Sequence, residues 1–167
     1  MQSWQTALAQ TLQQLRQPDR LARVAVLGIG HELRGDDAAG VYAARALERL
    51  TSSCDHLLVL AVGPAPENFT GVLRRFGPDL VLLLDAAQMD APPATVAWLA
   101  WQTADGISAS THTFPLSVFA TFLTTELGCP VALLGIQPAN TSLNAPLSPA
   151  IRQASESVAQ RLAKLLC

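Results

Sequence analysis

The chain has 167 residues, half of them hydrophobic and 14% charged, with a formal net charge of −2. That length suits one domain with a proper core, and the charge leaves no electrostatic footprint for nucleic acid or an anionic membrane. No apolar run approaches the ~18 residues needed to span a bilayer, and Met1-Gln2-Ser3-Trp4-Gln5 lacks the basic and apolar regions of a secretion signal.

Residues 2–16 place Trp4, Leu8, Leu12 and Leu15 on one helical face, so residues 1–20 read as an N-terminal helical extension ended by Pro18-Asp19. The remainder, 23–166, reads as the α/β part of a single 1–167 domain. Residues 23–29 are almost continuously apolar, as in a strand covered on both faces. A helix follows over about 38–51, with Val41, Ala44 and Leu47 inward, then a strand over 57–62 that stops at Gly63-Pro64. A short helix over about 67–76 leads to Leu80-Val81-Leu82-Leu83-Leu84, which runs into Asp85. The link from there to Thr95–Trp101 is too short for a parallel crossover, so that strand is expected antiparallel and at an edge. Pro115 suits the first turn of a helix to Leu127, with Leu116, Phe119, Phe122 and Leu123 inward and Gly128 as its C-cap. Residues 131–136 form the last strand, and a helix over about 148–166 buries Ile151, Ala154, Val158, Leu162 and Leu165. The alternation predicts a three-layer α/β sandwich: a mostly parallel five-stranded sheet with an antiparallel edge strand and helices on both faces.

Cys54, Cys129 and Cys167 are widely separated and have no paired-ligand spacing, which reads as reduced thiols in a cytoplasmic protein. The low charge content, against a usual figure of about 25%, fits apolar surface kept for a partner, or a tight α/β core.

In an open α/β sheet the working crevice lies beyond the carboxyl ends of the strands. That rule selects Gly30–Asp37, Gly63–Asn68, Asp85–Asp90 and Gln137–Asn140, and the return segment Thr103–Phe114 can bring His112 to the same end. Gly28-x-Gly30 opens like a dinucleotide fingerprint, but Leu33 stands at the third glycine position and the loop carries acidic residues where phosphate would sit. Asp36 and Asp37 have an ordinary use as helix cap and first-turn charge. Being adjacent, they turn apart by ~100°, so one is expected to cap and the other to enter the crevice. Asp85 follows five aliphatic residues and needs a partner or water, since an isolated buried charge is costly. His56 starts a strand, at the wrong end of the sheet, and reads as structural. Two carboxylates and one imidazole can bind a divalent ion with open positions, or work without metal as general acid and base; spacing leaves both open.

Taken in order, Leu27-Gly28-Ile29-Gly30-His31, Gly35-Asp36-Asp37-Ala38-Ala39-Gly40-Val41, Gly63-Pro64-Ala65-Pro66-Glu67-Asn68, Leu84-Asp85-Ala86, Thr111-His112-Thr113 and Leu134-Gly135-Ile136-Gln137-Pro138 resemble the motifs of the [NiFe]-hydrogenase maturation proteases. The Gly-Asp-Asp, Pro-Glu-Asn and Gly-Ile-Gln-Pro runs are most similar to the type serving hydrogenase 3 (formate hydrogenlyase). The resemblance implies an endopeptidase that removes the C-terminal extension of a hydrogenase large-subunit precursor after nickel insertion. It assigns Asp37, Asp85 and His112 as both catalytic residues and contacts to nickel, a metal supplied by the substrate and replaceable by another divalent ion in a crystal. Asp36 is then left as the cap. His31 stands where the family usually has Asn, and with Glu67 and Gln137 it is expected to help dock the precursor. A monomer is expected. The rival readings are a non-catalytic metal- or nucleotide-binding module on the same scaffold, and a small metallopeptidase acting on free peptides.

Overall fold

The structure, a computed structural model, describes residues 2–103 and 115–167. In chain order its elements are α1 (Trp4–Gln14), β1 (Val24–Ile29), α2 (Ala39–Leu50), β2 (Leu57–Gly63), α3 (Thr70–Phe76), β3 (Leu80–Ala86), β4 (Val96–Leu99), α4 (Leu116–Leu127), β5 (Val131–Ile136) and α5 (Pro149–Leu166). Three-residue and four-residue 3₁₀ turns cover Gly35–Ala38, Pro66–Phe69 and Trp101–Thr103.

The five strands make one sheet in the order β2-β1-β3-β5-β4. Every residue of β1, β3 and β5 is buried, as expected of central strands covered on both faces. The outer strands β2 and β4 are only partly buried. All neighbours run parallel except β4, which pairs antiparallel with β5 from Val96 opposite Ile136 to Leu99 opposite Leu133. The predicted edge strand is therefore present but shorter, because the chain turns into a 3₁₀ segment at Trp101.

One face of the sheet packs on α1, α2 and α5 through Leu8, Leu47, Ile151 and Leu162; the other packs on α3 and α4 through Leu73, Phe119 and Leu123. Phe122, expected inward, is 44% exposed. Its neighbours Phe119 and Leu123 occupy the buried stripe of α4, and the ~100° step per residue carries Phe122 off it.

The N-terminal extension is tied down. Ser3 caps α1 by accepting the Thr6 N–H at 3.2 Å. Farther along, the Asp79 carboxylate takes the Arg20 guanidinium at 2.5 and 2.9 Å and the Arg23 N–H at 2.7 Å. The Arg20 guanidinium holds the Asp79 carboxyl below the usual carboxylate range.

The thiols differ from the sequence expectation. Cys54 and Cys167 are joined as a disulfide with their Cα atoms 6.1 Å apart, within the usual ~4.4–6.8 Å span. The two lie 113 residues apart in the chain, but α5 brings the C-terminus back to the start of β2. There the His56 Nε2 bonds the Leu166 carbonyl oxygen at 2.6 Å, the structural role expected for that histidine. Cys129 is free and buried, and burial raises its thiol pKa.

Candidate active site at the carboxyl ends of β1 and β3

From β1 the chain passes to β2 on one side, then crosses to β3 on the other. The connections diverge between β1 and β3, which is where a doubly wound sheet opens its crevice. Two glycines bring the first turn of α2 down onto this point. A Cβ on Gly40 would collide with the carbonyl oxygens of Leu84 and Ile29, and one on Gly28 with Gly40 itself and the Ala44 side chain. Close contact of α2 with β1 and β3 sets the Gly35–Ala38 turn against the end of β3, where Asp85 lies. Asp37 is 0% exposed and Asp85 1%.

Gly30 has a positive φ of 142°, and a Cβ there would overlap the Asp37 carbonyl oxygen. The glycine thus makes room for Asp37, where a nucleotide-binding loop would make room for phosphate. The next N–H, of His31, donates to Asp37 Oδ2 at 2.8 Å. In the same loop the Leu33 N–H donates to His31 Nδ1 at 3.2 Å. An Asn side chain makes the same bond to the backbone two residues on, so the imidazole closes here the kind of local turn that an Asn closes.

Asp36 has a different task from its neighbour and from the helix cap expected of it. The N-terminus of α2 has no side-chain cap. Asp36 Oδ2 accepts the N–H groups of Ala139 and Asn140 at 2.9 and 2.8 Å and the Ser148 hydroxyl at 2.8 Å; Oδ1 accepts the Ser148 N–H at 2.7 Å. Its own N–H donates to the Asn140 carbonyl at 2.8 Å. Asp36 therefore fastens the loop after β5, and the start of α5, to the loop after β1. The crevice rule selected the segment ending at Asn140 but gave that residue no task, and Ser148 was not singled out; Ser148-Pro149 signals a helix start but not a partner more than a hundred residues away.

Gln137 and Glu67, nominated for docking, lie at the same end of the sheet. Gln137 is 5% exposed; its Oε1 accepts the Met89 N–H at 2.6 Å and its Nε2 donates to Gln88 Oε1 at 2.8 Å. It braces the loop after β3 against the loop after β5. Glu67 is half-buried in the 3₁₀ turn following β2. His112 lies outside the described residues. Buried carboxylates supply the hard oxygen donors that divalent ions accept. Among the described residues no group of three His, Cys, Asp or Glu is assembled to hold such an ion, and the imidazole nominated as the third donor is not among them.

A cavity of ≈ 630 Å³ opens at the opposite end of the sheet, between α1, the segment leading into β1 and the end of α5. It is lined largely by apolar groups such as Leu12, Leu21 and Leu165, with Arg16, Arg20 and His56 among its polar lining.

Fold and site together define a class: a doubly wound α/β domain with two buried aspartates, Asp37 and Asp85, at its switch point. Comparison with known proteins narrows it. The profile of the hydrogenase maturation protease family, HycI, matches residues 41–165. The hydrogenase 3 maturation protease of Escherichia coli K12 is 30% identical over 138 residues, covering 82% of this chain and 86% of that protein. The crystal structure of a [NiFe] hydrogenase maturation protease HycI from Thermococcus kodakarensis KOD1 superposes with a TM-score of 0.82 at 30% identity, over 96% of this chain and 98% of that one. The solution structure of the Escherichia coli endopeptidase HycI gives 0.70 at 27% identity, over 84% and 89% of the two chains. This chain belongs to the hydrogenase maturation protease family and is a maturation endopeptidase.

Proposed function

We propose that this endopeptidase removes the C-terminal extension of a [NiFe]-hydrogenase large-subunit precursor once nickel has been inserted, with Asp37, Asp85 and His112 meeting that nickel in the crevice. The division of labour between adjacent aspartates carries the reading. Asp36 is committed to the loop at 139–148, whereas Asp37 is buried beside the end of β3 and oriented by the His31 N–H. A carboxylate oriented in this way, with a second one buried at the end of β3, can accept a proton from water as its oxygen adds to the scissile carbonyl carbon, and return one to the departing amine. Nickel arrives with the substrate, bringing the bond to be cut within reach of these groups. His31 and Glu67 line the approach, and Gln137 keeps the crevice wall in shape for docking.

The test incubates purified nickel-loaded and nickel-free precursors with the protein and follows intact mass. The reading predicts loss of the C-terminal peptide from the loaded form alone. Equal trimming of both forms would remove nickel recognition, and trimming of neither by active protein would remove this substrate.

A further inference from the structure

Two large apolar side chains stand exposed at the mouth of the crevice, at positions the fold does not require to be apolar. Leu33 is 61% exposed and Leu143 59%. Each occupies a central position of a tight turn. The Arg34 N–H bonds the His31 carbonyl at 3.0 Å, closing a turn with Glu32 and Leu33 at its tip. The Ala145 N–H bonds the Ser142 carbonyl at 3.1 Å, closing another with Leu143 and Asn144 at its tip. Such tips are normally filled by Gly, Asn, Asp, Ser or Pro. The two turns are joined to each other, because the Asn144 N–H donates to the Leu33 carbonyl at 2.7 Å. Asn144 takes the positive φ of 60° that this turn needs.

The joined turns are also continuous with the machinery already described. The Leu33 N–H bonds the His31 ring, the His31 N–H bonds Asp37, and Asp36 fastens the loop that carries Leu143. Leu33 is four residues from Asp37 in the chain and is joined to it through His31, so the rim adjoins the proposed point of cleavage. We infer that Leu33 and Leu143 form an apolar docking ridge that grips apolar side chains of the precursor polypeptide close to its scissile bond. This inference rests on the proposed substrate and specifies how the site recognises it: by apolar contact at a rigid rim, with the charged groups kept below for chemistry.

The test compares wild type with Leu33→Ser/Leu143→Ser and with Leu21→Ser, in steady-state processing of the nickel-loaded precursor and in direct binding to it. Leu21 is 67% exposed at the opposite end of the sheet and serves as the control for losing any exposed leucine. The ridge predicts a KM raised at least tenfold in the double variant with kcat within about twofold, a matching loss of binding, and no change in Leu21→Ser. A double variant with wild-type KM and binding overturns the ridge, as does an equal loss in Leu21→Ser. Wild type that binds the precursor without cutting it overturns the proteolytic reading alone, and the ridge is then judged on the binding of the double variant. Wild type that neither binds nor cuts overturns both.

Discussion

Replacing Asp36 by alanine separates a structural carboxylate from the neighbour proposed to act in the crevice. Its two oxygens accept three backbone N–H groups and one hydroxyl, at 2.7–2.9 Å, and the residue is fully buried. Hydrogen bonds to a charged group contribute about 1.5–3 kcal/mol each, and an unmet buried donor costs about 1–3 kcal/mol. Water entering from the rim satisfies some of the released donors, so the sum is not additive; a loss of about 3–5 kcal/mol follows. For a domain of this size that lowers Tm by about 6–20 °C. Asp36→Asn should fall between: its oxygen can keep the Oδ2 bonds, but the amide then turns an N–H toward the Ser148 N–H. Thermal unfolding by circular dichroism, with Asp37→Asn melted alongside, reads the difference. If Asp36→Ala melts within a degree of wild type, or Asp37→Asn is as damaging, the assignment of separate tasks to the two residues is wrong.

Three further outcomes follow from the same structure. His31→Asn should leave kcat for precursor processing within a few-fold of wild type, because the bond to Asp37 comes from the backbone and Asn can accept the Leu33 N–H; a hundredfold loss in steady-state assays would show that the imidazole itself is needed. The folded-state pKa of Asp79 is lowered by Arg20, so its contribution is fully present above the unfolded value of about 3.8 and lost as pH falls through the folded one; urea midpoints at pH 7 and pH 3 should therefore differ more in wild type than in Asp79→Asn. The Cys54–Cys167 link closes a separation of 113 residues, for which loop entropy sets an upper bound of about 5 kcal/mol; wild type should melt higher without reductant than with it, and Cys54→Ser should show no such difference.

The central strands were legible because burial on both faces leaves long aliphatic runs, and the antiparallel edge strand because its connection is short. Asp85 was legible for the same reason, as a charge ending the most apolar strand. What escaped was what depends on distant partners. Nothing near Asp36 says that Ala139, Asn140 and Ser148 will converge on it, so a local rule suggested a helix cap instead. Nothing near Cys54 marks Cys167 as its partner until α5 is folded back. Phe122 fits an apolar helical pattern yet sits one step off the buried stripe, where periodicity is least discriminating. The two rim leucines look like ordinary loop residues until the turns that expose them are seen bonded together.

The proposed role of Asp37 is tested most directly by an intact-mass time course of nickel-loaded large-subunit precursor with Asp37→Asn, at protein concentrations where wild type completes the cut. The amide keeps an oxygen for the His31 N–H, so the protein should remain folded and bind the precursor. The precursor mass should stay unchanged throughout. Release of the C-terminal peptide at a rate near that of wild type would contradict it.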